Sequence, residues 1–218
     1  NKYPSGAIIA LPTGSGKTFT AVRFLCKNVI PKGYKVLWLA HTHHLLEQAF
    51  YSFGPLSEDS NDSYEVGWIP EPMETLNIRV VSGAPNQFNV NQIKPEDDVL
   101  IATLQSISNA YKNRHPKLLD FLKAADGKLF IVFDEAHHAP APSYRNLIFN
   151  LRKKFSKMHI IGLTATPTAT DMKKRGWFRV IFPQKIIHQT PIDKLMAEGI
   201  LAKPIIKEAQ TDITPEFD

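Results

Sequence analysis

One cysteine, Cys26, stands in the 218 residues, so the chain cannot form an internal disulfide and offers no cysteine pair at zinc-like spacing. Without such partners, the clustered His41, His43 and His44 and the adjacent His137 and His138 read as polar residues at strand ends and helix starts. Cys26 falls on an apolar pattern and is expected in the core. Although 43% of the residues are apolar, no run approaches the ~18 needed to span a membrane, and no signal peptide is visible. These absences lead us to expect a cytoplasmic protein with no membrane partner, and the fragment is expected to be monomeric. A strong charge excess is also missing: the formal net charge of +5 permits nucleic-acid contact without establishing it.

What is present begins with LPTGSGKT at Leu11 to Thr18. Gly14 and Gly16 let the backbone curl with its N–H groups inward, the geometry that surrounds a β-phosphate at a helix N-terminus. Pro12, Thr13 and Ser15 complete that loop. Lys17 would reach the β/γ-phosphate oxygens, and Thr18 offers a hydroxyl to Mg²⁺, which prefers oxygen ligands. Leu11 occupies the position where the general phosphate-loop pattern has glycine, so the strict pattern fails there. The setting compensates. AIIAL, from Ala7 to Leu11, reads as a buried strand, and TFTAVRFLCKNVI carries apolar residues at helical spacing.

A second motif, LFIVFDEAHH, runs from Leu129 to His138. Asp134 and Glu135 follow an apolar run and are expected at the carboxyl end of a central strand, where α/β sheets hold their ligands. Asp134 would hold Mg²⁺ and Glu135 would orient or deprotonate the attacking water. In HIIGLTATP, Thr164 and Thr166 emerge at another strand end.

Taken in order, LPTGSGKT, WLAHTHHLLEQ (Trp38 to Gln48), VLIATLQSI (Val99 to Ile107), DEAHH and LTATP resemble the first RecA-like motor domain of superfamily 2 helicases and translocases. More narrowly, the set is similar to the DEAH-containing bacterial group of restriction-enzyme motor subunits and duplex-opening repair helicases, over residues 7 to about 205. The resemblance implies ATP and Mg²⁺ as cofactors. It implies that His137, with Thr164 and Thr166, couples the nucleotide site to a second RecA-like domain of the same full-length chain. It also implies backbone contacts to nucleic acid, DNA favoured over RNA, from Thr42 and His43, Ser82 and Gly83, and Thr103 and Gln105. Helix capping is the alternative role, above all for Thr42 ahead of HHLLEQAF.

The family's upstream adenine motif and downstream Gln/Arg-rich motif are not visible, so the chain reads as a fragment. Residues 1–208 form the ATP-binding domain in this reading and 209–218 begin a linker. A missing arginine finger is worth ~10³ to 10⁵ in rate, roughly 4 to 7 kcal/mol, so the isolated fragment is expected to hydrolyse ATP weakly or not at all.

The expected fold is α/β, a mostly parallel central sheet with helices on both faces. Strands are expected near 7–11, 35–40, 78–82, 99–103, 129–134, 159–163 and 202–207, with 54–77 as a long loop or insertion that includes Trp68. The basic runs Arg152 to Lys154 and Lys173 to Arg175 read as solvated helix ends before they read as phosphate contacts. Two rival readings stand beside this one. A small-molecule kinase would lack the TATP segment and would show clustered lid arginines. A non-catalytic, ATP-switched nucleic-acid-binding module would be expected to have altered Lys17, Asp134 or Glu135.

Overall fold

Among the described residues, seven short segments with apolar residues on consecutive positions form the strands: β1 (Gly6–Ala10), β2 (Lys35–Ala40), β3 (Ile78–Val81), β4 (Val99–Thr103), β5 (Lys128–Asp134), β6 (Lys157–Thr164) and β7 (Ile186–Gln189). Runs such as KVLWLA and KLFIVFD suit a parallel sheet covered on both sides. The computed structural model describes residues 6–53, 76–83, 88–155, 157–166 and 172–203, the side chains of 172–175 aside. The strands lie in one sheet in the order β3-β4-β2-β5-β6-β1-β7, and every described pairing is parallel.

Parallel strands need crossovers, and helices supply them: α1 (Lys17–Asn28), α2 (His43–Phe53), α3 (Leu104–Lys112), α4 (Pro116–Ala124), α5 (Pro142–Lys154), α6 (Met172–Ile181) and α7 (Ile192–Ala197). Alternate strand residues feed two separate cores. Leu37, Leu39, Ile131 and Phe133 pack with α3, α4 and α5 on one face. Val36, Trp38, Ala40 and Val132 pack with α1 and α2 on the other, where Cys26 is fully buried as expected. Trp38 meets Phe53 edge-on at 6.2 Å.

Six of the seven expected strands lie where the sequence suggests, with ends shifted by a residue or two. The seventh, 202–207, falls at or beyond the limit of the described residues, as do Trp68, residues 54–75, Pro167 and 209–218. The strand that sequence reasoning passed over is β7, four exposed residues whose short IIHQ run has no buried face to set a period. The Arg152 run also differs from a solvated end. Arg152 turns inward and donates to the Val180 and Ile181 carbonyls, closing the last turn of α6, while Lys153 and Lys154 stay exposed. The side chains of Lys173 to Arg175 lie outside the described residues.

Candidate nucleotide and nucleic-acid site

The loop between β1 and α1 turns on two left-handed glycines, Gly14 at φ 79° and Gly16 at φ 82°. Gly16 stands at the N-cap of α1 and contributes no side-chain cap, so the first-turn N–H groups of that helix face the loop. Ser15 fastens the turn by donating from Oγ to the Pro12 carbonyl at 2.6 Å, and Lys17 Nζ donates to the same oxygen at 3.3 Å. Thr13 is exposed, and Thr18 is buried in the first turn of α1. Leu11, the departure from the loop pattern, is buried, and its N–H donates to the Thr164 carbonyl at 3.1 Å. After α7 the chain returns over the loop, with Leu201 Cδ2 3.5 Å from where a Cβ on Gly14 would lie. A cavity of about 470 Å³ opens beside the loop, lined by Ala10 to Thr13, Ala165 and Gln189 to Ile192.

Two strands away, β5 delivers Asp134 and Glu135. Asp134 is 4% exposed, and its Oδ2 has no hydrogen-bond partner. Oδ1 accepts from the Glu135 N–H at 3.1 Å. Burial, with the neighbouring Glu135 charge second, pushes the Asp134 carboxyl up to about 6, against the opposing pull of that N–H, of Lys17 and of the Trp38 indole. Trp38 lies on the same face as Asp134 without completing a hydrogen bond, since its Nε1 is also unpartnered. Glu135 adopts left-handed backbone at φ 53°, a conformation that disfavours a side chain and clusters at functional sites. This turn aims its carboxylate at His137, whose Nδ1 lies 3.3 Å from Glu135 Oε2.

His137 sits in a single 3₁₀ turn, Ala136–His138, and its Nδ1 also lies 3.4 Å from Thr164 Oγ1 at the end of β6. Thr164 is fully buried, and its hydroxyl pairs with both the N–H and the carbonyl of Thr166. In register, Thr164 stands opposite Ala10, so β6 physically joins the acidic turn to the phosphate loop.

Because the strands are parallel, the strand order also orders the tips along one edge. Ser82 and Gly83 follow β3, Thr103 ends β4, Thr42 and His43 follow β2, then come the acidic turn on β5, the threonines on β6 and the loop after β1. The six strand-tip residues thus occupy one half of the carboxyl edge and the phosphate-loop set the other. Thr42 and Thr103 both act as N-caps, accepting from Leu45 N–H at 3.4 Å and Ser106 N–H at 3.2 Å. Thr103 Oγ1 donates to Ser106 Oγ at 2.7 Å, Gln105 is exposed on the first turn of α3, and Gly83 is left-handed at φ 75°.

Three features escaped the sequence reading. Gly162, in the middle of β6, leaves room for the acidic turn: a Cβ there would meet Ala136 Cβ at 2.7 Å and the Phe182 ring at 2.8 Å. A glycine inside an apolar strand was the available signal. Trp38, on the same face as Asp134, brings an unpartnered indole N–H whose pull opposes the rise of that carboxyl. His41 packs against His138, and His138 against His137, with tilted rings, a contact no spacing rule reports.

A phosphate loop, an acidic strand end and the buried Thr164 on one edge of a sheet whose described pairings are all parallel define a RecA-like ATPase domain of the superfamily 2 helicase class. The chain belongs to the family described as "Type III restriction enzyme, res subunit", which matches residues 1–169. It is 24% identical over 237 residues to the DNA repair helicase/translocase XPB-R of Trypanosoma brucei brucei, covering 98% of this chain and 29% of that protein. Among solved structures it resembles the Hef helicase domain of Pyrococcus furiosus, at 25% identity and TM-score 0.54 over 86% of this chain and 34% of that one. Dbp5 of S. cerevisiae, solved bound to RNA and ADP BeF3, shares the fold at 15% identity and TM-score 0.53, over 85% of this chain and 42% of its own. The chain therefore spans about a third or less of the trypanosome protein and of Hef.

Proposed function

We propose that the full-length protein couples ATP hydrolysis to translocation along or opening of nucleic acid, and that residues 1–208 are its first motor domain, with 209–218 leading toward a second. The observation that carries this reading is the buried Asp134 carboxylate, whose Oδ2 has no partner although it neighbours Lys17 and the left-handed Glu135. A buried carboxylate oxygen without a donor is costly in free energy. A divalent cation suits it, and the buried Thr18 hydroxyl offers a second hard oxygen. Mg²⁺, when bound with ATP, would neutralise phosphate charge and leave the chain's own residues to do the rest.

In this reading the loop from Pro12 to Thr18 cradles the phosphates, with Gly16 and the first turn of α1 presenting N–H donors. Lys17 leaves the Pro12 carbonyl for phosphate oxygens. Glu135 orients the attacking water and takes its proton, and His137, held between Glu135 and Thr164, reports the state of that site to the second domain. Thr42, His43, Ser82, Gly83, Thr103 and Gln105 hold a strand by its backbone, their capping roles leaving helix N-termini toward phosphates. DNA is the favoured track, supported by the DNA repair role named for the trypanosome relative. Among the described residues no helix is long and apolar enough to cross a membrane, and we place the protein in the cytoplasm.

The test is the ATPase rate of the full-length protein with and without single-stranded DNA, duplex DNA and RNA, beside its Glu135→Gln variant. Stimulation by one polymer, abolished by the substitution with nucleotide binding retained, is the expected result. Nucleotide binding without stimulation by any polymer would move the assignment to an ATP-switched binding module.

A further inference from the structure

Three imidazoles form one tilted stack across two neighbouring strands. The His41 ring, just past β2, packs against the His138 ring with centroids 4.1 Å apart and planes inclined by 51°, and His138 packs against His137 at 4.2 Å and 41°. The β2–β5 ladder pairs its last residues at Leu39 and Phe133, so beyond that point these rings, rather than the ladder, bring the two strand ends together. The stack ends inside the hydrolytic set: His137 Nδ1 is 3.3 Å from Glu135 Oε2 and 3.4 Å from Thr164 Oγ1. At the other end His41 immediately precedes Thr42, the residue that caps α2 and stands among the strand-gripping candidates.

We propose that His41 and His138 are positioning residues that carry occupancy of the β2 tip by a nucleic-acid strand to His137 and, through it, to Glu135. The proposal rests on the function proposed above. Rings in van der Waals contact cannot be compressed, so a tip that is immobilised or displaced must either move the next ring or break the stack. Glu135 has a left-handed backbone, and its Oε2 lies 3.3 Å from His137 Nδ1, so a small turn of His137 alters where that carboxylate points. General-base efficiency depends steeply on such placement. His41 and His138 are both exposed, which leaves the stack open to the side from which a strand would arrive.

The experiment uses the full-length protein with oligo(dT), duplex DNA and poly(U), and the variants His41→Ala, His138→Ala, their double, and His41→Phe, which keeps a flat ring. Basal kcat, strand-stimulated kcat, KM for ATP and strand Kd are measured for each. We expect the alanine variants to lose about fivefold or more of the stimulated kcat, while basal kcat, KM and strand Kd stay within about twofold. The double should lose no more than the worse single, as members of one chain do, and His41→Phe should recover at least half of the loss. Equal falls in basal and stimulated rates, multiplicative losses in the double, or weaker strand binding that accounts for the effect would each overturn the relay. Stimulation that survives His41→Ala would overturn the relay alone. An unmodified protein that no polymer stimulates would overturn the parent reading and this proposal with it.

Discussion

His137 and Thr164 share a single proton position. Thr164 Oγ1 donates to the Thr166 carbonyl at 3.2 Å and accepts from the Thr166 N–H at 3.1 Å, which leaves it only accepting capacity toward His137 Nδ1 at 3.4 Å. The pattern assigns the imidazole proton to Nδ1, where it also faces Glu135 Oε2. Thr164→Val removes this acceptor and the local turn bond together. The expected outcome in the full-length protein is ATP affinity within about threefold, turnover lowered at least about tenfold, and stability lowered by about 1 kcal/mol. Equilibrium nucleotide binding, steady-state rates and denaturant unfolding check it.

Asp134 makes the nucleotide-free domain sensitive to pH in a defined direction. Its folded value, about 6, lies above the ordinary 3.8, so between those limits the folded chain binds the proton more tightly than the unfolded one. Its stabilising contribution is therefore present at low pH and lost as pH rises through about 6. At neutral pH the ionised carboxylate opposes folding by roughly 3 kcal/mol. Asp134→Asn is expected to raise the midpoint of thermal unfolding by at least about 4 °C at pH 7.5, with the gain vanishing near pH 4. An unchanged or lowered midpoint at pH 7.5 would refute the burial argument.

Gly162 is the seat of the acidic turn. Gly162→Ala drives a methyl into Ala136 and the Phe182 ring, a close-packed place where both neighbours are buried. Destabilisation of about 1–3 kcal/mol is expected, accompanied by a loss of turnover larger than the loss of nucleotide affinity, because the displaced element carries Glu135. Unfolding midpoints and rates measured together separate the two effects.

Cys26 is fully buried, and burial pushes its thiol up to about 12. A thiol-alkylating reagent at pH 8 should leave the folded chain unmodified over hours and label it fully once denaturant is added. Mass spectrometry reads either outcome.

Much of this architecture was legible because a buried parallel strand is nearly all apolar and ends abruptly. KVLWLA, VLIAT, KLFIVFD and HIIGLT announce themselves, and the glycines and acids that follow mark the carboxyl edge. β7 was not legible, since it is held by pairing to β1 at an exposed edge and needs no apolar face. The candidate residues were named from motif spacing. Their electrostatics were not, because the burial of Asp134 comes from packing between strands and helices far apart in sequence. Arg152 was misread for a similar reason: a basic residue at a helix end ordinarily meets solvent, and the carbonyls it meets belong to α6.

The rim opposite the carboxyl edge carries none of the candidate residues, and that vacancy has an experimental use. Lys123 is exposed near the end of α4, close to where β5 begins at Lys128, and β5 spans about 20 Å from there to Asp134. With Cys26 sealed in the core, a cysteine at Lys123 would be the one thiol that a dye can reach among the described residues. It would sit at the end of α4, next to the start of a strand whose far end holds the chemistry, giving a reference point from which the approach of another body could be timed.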